Sequence, residues 1–187
     1  VKQSFPVYEP RTHLTSGSYS SMGWAVPAAI GAKLAQPGRK VVCVLGDGDF
    51  LQTAQELGVC VQNDIAVCFV VQNNAGYMSI RGGQRKITDR HVISEWSRPG
   101  GSEYRVDIAT VAKGFGVDAW RVDDSSELLG TLTRALEADG PAVVEVPTSR
   151  DAAGPWVPGW WDFPVPAYIQ DGRQSDYWAE RAEEQHQ

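Results

Sequence analysis

Two short stretches of the sequence carry residues that suit a bound metal and a phosphate. Gly46-Asp47-Gly48-Asp49 follows one apolar run, and Asn73-Asn74-Ala75-Gly76-Tyr77 follows another. Glycines permit tight turns and close approach of the backbone, and a helix start offers free N–H groups to an anion. Asp47 and Asn74 supply oxygen atoms, which Mg²⁺ prefers together with ligand phosphates. The two stretches therefore predict a site for a magnesium diphosphate.

An alternation of apolar runs and helical patterns is expected to bring these stretches together. Apolar runs predict strands over 41–45, 65–71, 117–122 and 142–146, and helical spacing predicts helices over 22–35, 50–61, 108–115 and 127–138. This order predicts an α/β domain, doubly wound, with a mainly parallel sheet and helices on both faces. Ligands of such sheets bind beyond the carboxyl ends of the strands.

Two segments depart from this rhythm. Residues 88–105 are polar and contain Pro99, Gly100 and Gly101, so they form either a long loop, often a lid, or a short helix. From residue 150 onward the chain is rich in Trp and Pro. We therefore predict a cofactor-binding domain over 1–149 and a C-terminal tail over 150–187 that acts as a lid or interface.

Composition excludes several classes of function. The 42% hydrophobic content predicts a packed core, and 17 basic against 23 acidic residues give a net charge of −6, which argues against a nucleic-acid partner. The sequence has neither an apolar run of membrane-spanning length nor the layout of a secretory signal, so we expect a cytoplasmic protein without a membrane partner. The 3 cysteines lack metal-binding spacing and are predicted to be buried thiols.

The spacing of the two stretches resembles a known signature. Gly46-Asp47-Gly48, then 24 residues, then Asn73-Asn74 is similar to the thiamine-diphosphate signature. The segment from Leu14 to Gly23, running into Pro27 to Ala32, looks like the one that precedes this signature in acetolactate synthases and related 2-oxo-acid carboligases and decarboxylases. The resemblance covers about residues 11 to 150 and corresponds to the diphosphate-binding, C-terminal domain of that family.

The resemblance implies a role for each matching residue. Asp47 and Asn74 would bind Mg²⁺ by their side chains and Gly76 by its carbonyl. Met22 would support the thiamine diphosphate in a bent shape, with its N–H group and the Ser20 carbonyl on the aminopyrimidine. Tyr77 and Met78 open the next helix, where pocket lining and simple packing both remain open. The full set of predicted cofactor-binding residues is Ser20, Met22, Gly46, Asp47, Gly48, Asp49, Asn74, Gly76, Tyr77 and Met78.

Asp49 departs from the family pattern, because many relatives have Ser or another small residue there. A carboxylate beside a diphosphate is repulsive unless it turns outward or reaches a cation.

The family's activating Glu comes from a separate pyrimidine-binding domain, for which this chain is too short, so no catalytic residue is assigned here. We expect that domain on a partner subunit, giving a heterodimer or heterotetramer with the cofactor between chains. The alternative is that the chain is a fragment of a longer polypeptide.

The resemblance implies an enzyme that depends on thiamine diphosphate and Mg²⁺ and acts on a 2-oxo acid or related ketone. Carboligation of the acetolactate synthase type is the first expectation, and simple decarboxylation of the sulfopyruvate or phosphonopyruvate type is the second. A non-catalytic, regulatory cofactor-binding subunit is a third. Nicotinamide binding is disfavoured because the first turn lacks Gly-x-Gly-x-x-Gly.

Overall fold

Among the described residues, four strands form one parallel sheet. They are β1 (Val42–Gly46), β2 (Cys68–Asn73), β3 (Asp118–Arg121) and β4 (Ala142–Pro147). Their order across the sheet is β1-β2-β4-β3, and each neighbouring pair is parallel. Gly46 is paired with Gln72, so the segments that follow β1 and β2 leave the sheet side by side. The predicted α/β fold with a mainly parallel sheet is confirmed.

Six α-helices accompany the strands in this computed structural model, which describes residues 5–88, 90–152 and 179. They are α1 (Ala25–Ala35), α2 (Asp47–Thr53), α3 (Leu57–Gln62), α4 (Met78–Thr88), α5 (Ile108–Gly114) and α6 (Leu128–Glu137). Pro27 lies in the first turn of α1, where its missing N–H group costs little. The Asp107 side chain caps α5 by accepting from the Thr110 N–H at 2.7 Å. None of the described helices is long and apolar enough to span a bilayer.

The sheet is covered on both faces. One face packs against α1, α2, α3 and α5, and its cluster includes Val26, Leu45, Phe50, Leu57, Phe69, Val71, Ile108 and Val143. The other face packs against α6, and its cluster includes Cys68, Val70, Trp120, Leu132, Ala142 and Val144. Because successive side chains of a strand point to opposite faces, β2 contributes Phe69 and Val71 to one cluster and Cys68 and Val70 to the other.

The chain divides into two units. The sheet lies in the first, which comprises Val1–Gly76 and Trp96–Arg150, and the second comprises Tyr77–Glu95 and Asp151–Gln187. In the second unit, the Arg81 side chain is 13% exposed and pairs with Glu95 and Asp151. The predicted division at residue 149 stays a prediction. Most of the tail for which a lid or interface role is predicted lies outside the described residues.

One predicted helix differs from the structure, and one open alternative, a long loop or a short helix after α4, is decided. The single helix expected over 50–61 is instead α2, a 3₁₀ turn over Ala54–Glu56, and α3. Thr53, with φ −137° and ψ 24°, leaves the helical region, and the α-helical hydrogen bonding stops there. Residues 90–105 contain no helix, and Ser97 pairs with Glu103 in an antiparallel bridge.

Candidate functional site

The ends of β1 and β2 bring the two predicted loops into contact. Asp47, the first residue of α2, is 1% exposed. Its Oδ1 accepts from the Gly48 N–H at 2.8 Å, and its Oδ2 accepts from the Gly76 N–H at 3.3 Å. The Asp47 carboxylate therefore connects the start of α2 to Gly76, which lies 29 positions later in the sequence.

Burial dominates the electrostatics of this carboxylate. It raises the pKa of Asp47, while backbone N–H groups of Gly48, Gly76, Ala75 and Asn74 act in the opposite direction. A buried negative charge is costly unless it is paired or binds a metal. Asp47 therefore has the environment of an oxygen ligand for a cation.

Asn74 supplies a second oxygen. Its Oδ1 is buried and has no hydrogen-bond partner among the described residues. An unpartnered buried oxygen calls for an explanation, and a bound ion is one. Oxygen donors from a carboxylate and an amide suit Mg²⁺. The described residues contain no cluster of His, Cys, Asp and Glu that would suit another kind of metal centre.

The backbone beside Asp47 leaves room for a ligand. A Cβ atom added at Gly46 would meet no atom of the described residues within 4 Å, so these residues do not require a glycine at this position. Open space next to two buried oxygen donors fits the close approach of a diphosphate. The donor set and this space together fit the predicted magnesium diphosphate.

Two arginines that were not predicted hold the loop after β2 by its carbonyl groups. Arg150 donates to the Asn74, Ala75 and Trp96 carbonyls at 3.2, 2.7 and 2.6 Å. Arg105 donates to the carbonyls of Asn73 and Thr148. Ala75 has φ +57°, which is uncommon for a residue other than glycine and requires support from its surroundings. Both arginines lie in polar segments, where nothing in the sequence distinguishes them.

A buried polar pair below this loop was also missed. Asn73 and Glu145 are both 0% exposed, and Asn73 Nδ2 donates to Glu145 Oε1 at 2.7 Å. A signal for Glu145 exists in the sequence, because it is a charged residue inside the apolar strand Ala142–Pro147.

The turn that contains Ser20 and Met22 is hydrogen-bonded to the first turn of α2. The Gly23 N–H donates to Asp49 Oδ1 at 2.6 Å. Burial raises the pKa of Asp49, and backbone N–H groups of Gly23 and Ala25 lower it. Met22 is 37% exposed, a large fraction for an apolar side chain, and Ser20 has a left-handed backbone with φ +45°. Asp49 therefore points to the backbone, and its direct contact with a diphosphate stays a prediction.

Tyr77 and Met78 belong to the second unit. The Tyr77 N–H donates to the Ser94 carbonyl at 2.7 Å, and Met78 is the first residue of α4. Their predicted contact with a cofactor stays a prediction, as does the role of the Gly76 carbonyl.

Comparison with known proteins identifies the family that this chain matches. Residues 1–146 match the family described as thiamine pyrophosphate enzyme, C-terminal TPP binding domain. The chain is 31% identical over 144 residues to acetolactate synthase isozyme 1 large subunit of Escherichia coli, covering 77% of the chain and 25% of that protein. It is 34% identical over 147 residues to acetolactate synthase of Bacillus subtilis, covering 79% of the chain and 25% of that protein.

A solved structure is also similar. The thiamine diphosphate-dependent 4-hydroxybenzoylformate decarboxylase of Rhodococcus jostii RHA1 is 30% identical, with a TM-score of 0.61 over 68% of this chain and 23% of that one. The chain thus spans about a quarter of the length of these relatives.

Proposed function

Because this chain belongs to the family of C-terminal TPP-binding domains of thiamine pyrophosphate enzymes, we propose that it binds thiamine diphosphate through Mg²⁺ between the ends of β1 and β2. The observation that carries the proposal is the unpartnered, buried Oδ1 of Asn74 on the loop whose Gly76 N–H contacts buried Asp47. Asp47 and Asn74 hold the metal by their side chains, and Gly76 holds it by its carbonyl.

Each remaining residue of the site has a positioning role in this proposal. Gly46 leaves space for the diphosphate, Asp49 fixes the turn before α1, and exposed Met22 supports the rings of the cofactor. Bound thiamine diphosphate supplies a nucleophilic thiazolium carbon that attacks a carbonyl and accepts the electrons of the broken bond. The protein contributes the fixed geometry that this chemistry needs.

We further propose that the reaction is carboligation of a 2-oxo acid or related ketone, in which a carbon–carbon bond beside the carbonyl is broken and a new one is formed. Similarity to acetolactate synthases of Escherichia coli and Bacillus subtilis supports this assignment.

Simple decarboxylation is the second candidate, supported by similarity to the Rhodococcus decarboxylase. An assay with mixed carbonyl acceptors separates the two. A condensed product supports carboligation, whereas carbon dioxide and free aldehyde without a condensed product reject it.

The activating Glu is proposed to come from a pyrimidine-binding part of the enzyme outside these 187 residues, since the match covers only 25% of each of the two acetolactate synthases. A separate partner subunit, in a heterodimer or heterotetramer, is our preferred arrangement. Copurification followed by mass identification of companion chains and cofactor tests it. An assembly that binds thiamine diphosphate but converts no oxo acid would instead support a regulatory subunit.

The metal site is tested by Asp47→Ala. We expect this variant to lose thiamine diphosphate and Mg²⁺ on gel filtration while its circular dichroism stays that of the wild type. Asp118→Ala is the control, because Asp118 is an exposed carboxylate at the opposite, amino-terminal end of its strand. Unchanged retention by Asp47→Ala at limiting Mg²⁺ would contradict the proposed ligand.

A further inference from the structure

Glu145 is a charged residue at the centre of the sheet that the proposed chemistry does not use. It lies on β4 and is 0% exposed. Its Oε1 accepts from Asn73 Nδ2 at 2.7 Å and from Arg121 Nη1 at 3.3 Å, and its Oε2 accepts from the Ala109 N–H at 3.0 Å. All three partners are hydrogen-bond donors, so both carboxylate oxygens serve as acceptors. The carboxylate therefore joins the end of β2, the end of β3 and the first turn of α5.

Asn73 links Glu145 to the loop after β2. Its Nδ2 donates to Glu145 and to the Val106 carbonyl at 2.8 Å, and its Oδ1 accepts from the Ala75 N–H at 3.3 Å. Because both partners of Nδ2 are acceptors only, the side-chain amide is held with Oδ1 towards Ala75. Ala75 lies between the proposed metal ligands Asn74 and Gly76, in a left-handed conformation.

From these contacts we infer that Glu145 is a positioning residue, which acts through Asn73 to fix the loop that binds the metal. The inference rests on the proposed function for the identity of the ligand, but not for the contacts themselves. Groups that orient metal ligands commonly change metal affinity by about 10- to 100-fold when they are removed.

The substitution Glu145→Gln tests this chain of contacts with little change in shape. The amide side chain that it introduces has one acceptor oxygen and one NH₂ group, where the carboxylate has two acceptor oxygens. If the NH₂ group faces Asn73, the Asn73 amide must rotate, which turns its Nδ2 towards the Ala75 N–H. If the NH₂ group faces Ala109, Asn73 keeps only a neutral acceptor, which forms a weaker hydrogen bond than a carboxylate. Either orientation loosens the hold on Ala75.

The experiment is a double-mutant cycle on the full chain, in the assembly in which it is purified. The variants are Glu145→Gln, Asn73→Ala and their combination, and the control is Arg121→Gln, which removes a donor from Glu145 without touching the loop. Mg²⁺ is titrated calorimetrically at fixed thiamine diphosphate. Amide hydrogen exchange of Ala75 is measured without metal or cofactor, with Val71 and Val143 as core references.

We expect Glu145→Gln to weaken Mg²⁺ binding about 10-fold or more and to speed exchange at Ala75 but not at the core references. The double variant should bind like Asn73→Ala within about twofold, because the two residues act in series. Arg121→Gln should stay within about twofold of the wild type. If Glu145→Gln does not fold, Glu145→Asp, which keeps the charge but shortens the side chain, is expected to speed exchange at Ala75 in the same way.

Three results would overturn the inference: wild-type Mg²⁺ affinity and Ala75 exchange in both Glu145 variants, equal weakening by Arg121→Gln, or losses that multiply in the double variant. Failure of the proposed function is a separate outcome, detected with Asn74→Ala. If that variant keeps the Mg²⁺ affinity of the wild type, the metal assignment is wrong, while the exchange at Ala75 still decides whether Glu145 positions the loop.

Discussion

Asp49 shows, at the scale of a single residue, how one carboxylate can connect two parts of a site. It lies in the first turn of α2, and its Oδ1 accepts from the Gly23 N–H, next to Met22. The side chain thus faces the backbone of the turn before α1. Asp49 therefore has a structural role in this chain, as the hydrogen-bond acceptor of the Gly23 N–H.

We expect Asp49→Ala to lower the free energy of unfolding by about 1–3 kcal/mol, because it leaves the partly buried Gly23 N–H without its acceptor. The same variant should weaken binding of thiamine diphosphate by freeing the turn that contains Met22. Urea denaturation and calorimetric titration measure the two effects. Asp49→Asn keeps an acceptor and should lose less of both; equal losses in the two variants would show that the charge, not the hydrogen bond, matters.

The contacts of individual residues could be predicted only where the sheet dictates them. Asp47 and Asn74 were predictable neighbours, because parallel strands end at a common edge. The partners of Asp49 and Glu145 were not, because they lie 26 and 72 residues away and depend on strand register and on the path of the chain. Glu145 could have been singled out as a charge within an apolar strand, but not paired with Asn73.

At the scale of the element, the start of α1 depends on Gly23. Gly23 has φ +79°, and an added Cβ would lie 3.1 Å from Gln52 Oε1 and 3.3 Å from Thr53 Cγ2. Both the backbone conformation and the close approach of α2 therefore disfavour any other residue.

Gly23→Ala is expected to destabilise the protein by roughly 1–3 kcal/mol, because of the left-handed conformation and the close contacts. Gly31→Ala, within α1, is the matched control and should stabilise the protein by about 0.5–1 kcal/mol, since its Cβ would meet no atom within 4 Å. Chemical denaturation of both variants measures these opposite signs. A neutral Gly23→Ala would show that the turn relaxes freely.

The side-chain cap of α5 makes the free energy of unfolding depend on pH. The hydrogen bond from the Thr110 N–H holds the pKa of Asp107 below its ordinary value of 3.8. Because the folded pKa lies below the unfolded one, the stabilisation is complete above the unfolded pKa and is lost as pH falls through the folded pKa.

Asp107→Ala should therefore cost about 0.5–1 kcal/mol at pH 7, near the low end for a cap because the carboxylate is exposed, and less at pH 3. Asp107→Asn, which keeps an acceptor but does not titrate, is the control and should stay close to the wild type at pH 7. Urea denaturation at the two pH values checks this. If the difference in free energy of unfolding between Asp107→Ala and the wild type is as large at pH 3 as at pH 7, the predicted direction of the pH dependence is wrong.

Element types were predictable from apolar runs and helical spacing, but the interruption between α2 and α3 was not. The spacing of Leu51, Ala54 and Leu57 is compatible with one continuous helix. The break at Thr53 places Thr53 and Gln52 against Gly23, a long-range contact that no local pattern contains.

At the scale of the whole molecule, the three cysteines are free thiols buried in the core. Burial is the main cause that raises the pKa of Cys43 to about 12 and that of Cys60 to about 11, and it also raises the pKa of Cys68. Cys43 and Cys60 belong to one core cluster and Cys68 to the other, so thiols lie on both faces of the sheet.

We expect the native protein to react very slowly with Ellman's reagent at pH 8, because the thiolate is the reactive form and the thiols are buried. In guanidinium chloride all 3 should react. Ser126→Cys, at an exposed position, is the control for reagent access and should react fast in the native protein. Rapid modification of the native wild-type thiols would show that one or both clusters open readily.

The strand order β1-β2-β4-β3 means that a central strand, β4, is the last of the described strands to be synthesised. While the ribosome is still translating residues before Ala142, β2 and β3 have no common neighbour, and Asn73 has no carboxylate to hold it. Arg105 and Asp47 can hold the loop after β2 before β4 is made, but the contact between Glu145 and Asn73 forms only when β4 inserts. Completion of this sheet and formation of the contact between Glu145 and Asn73 are thus one event, which follows the synthesis of β4.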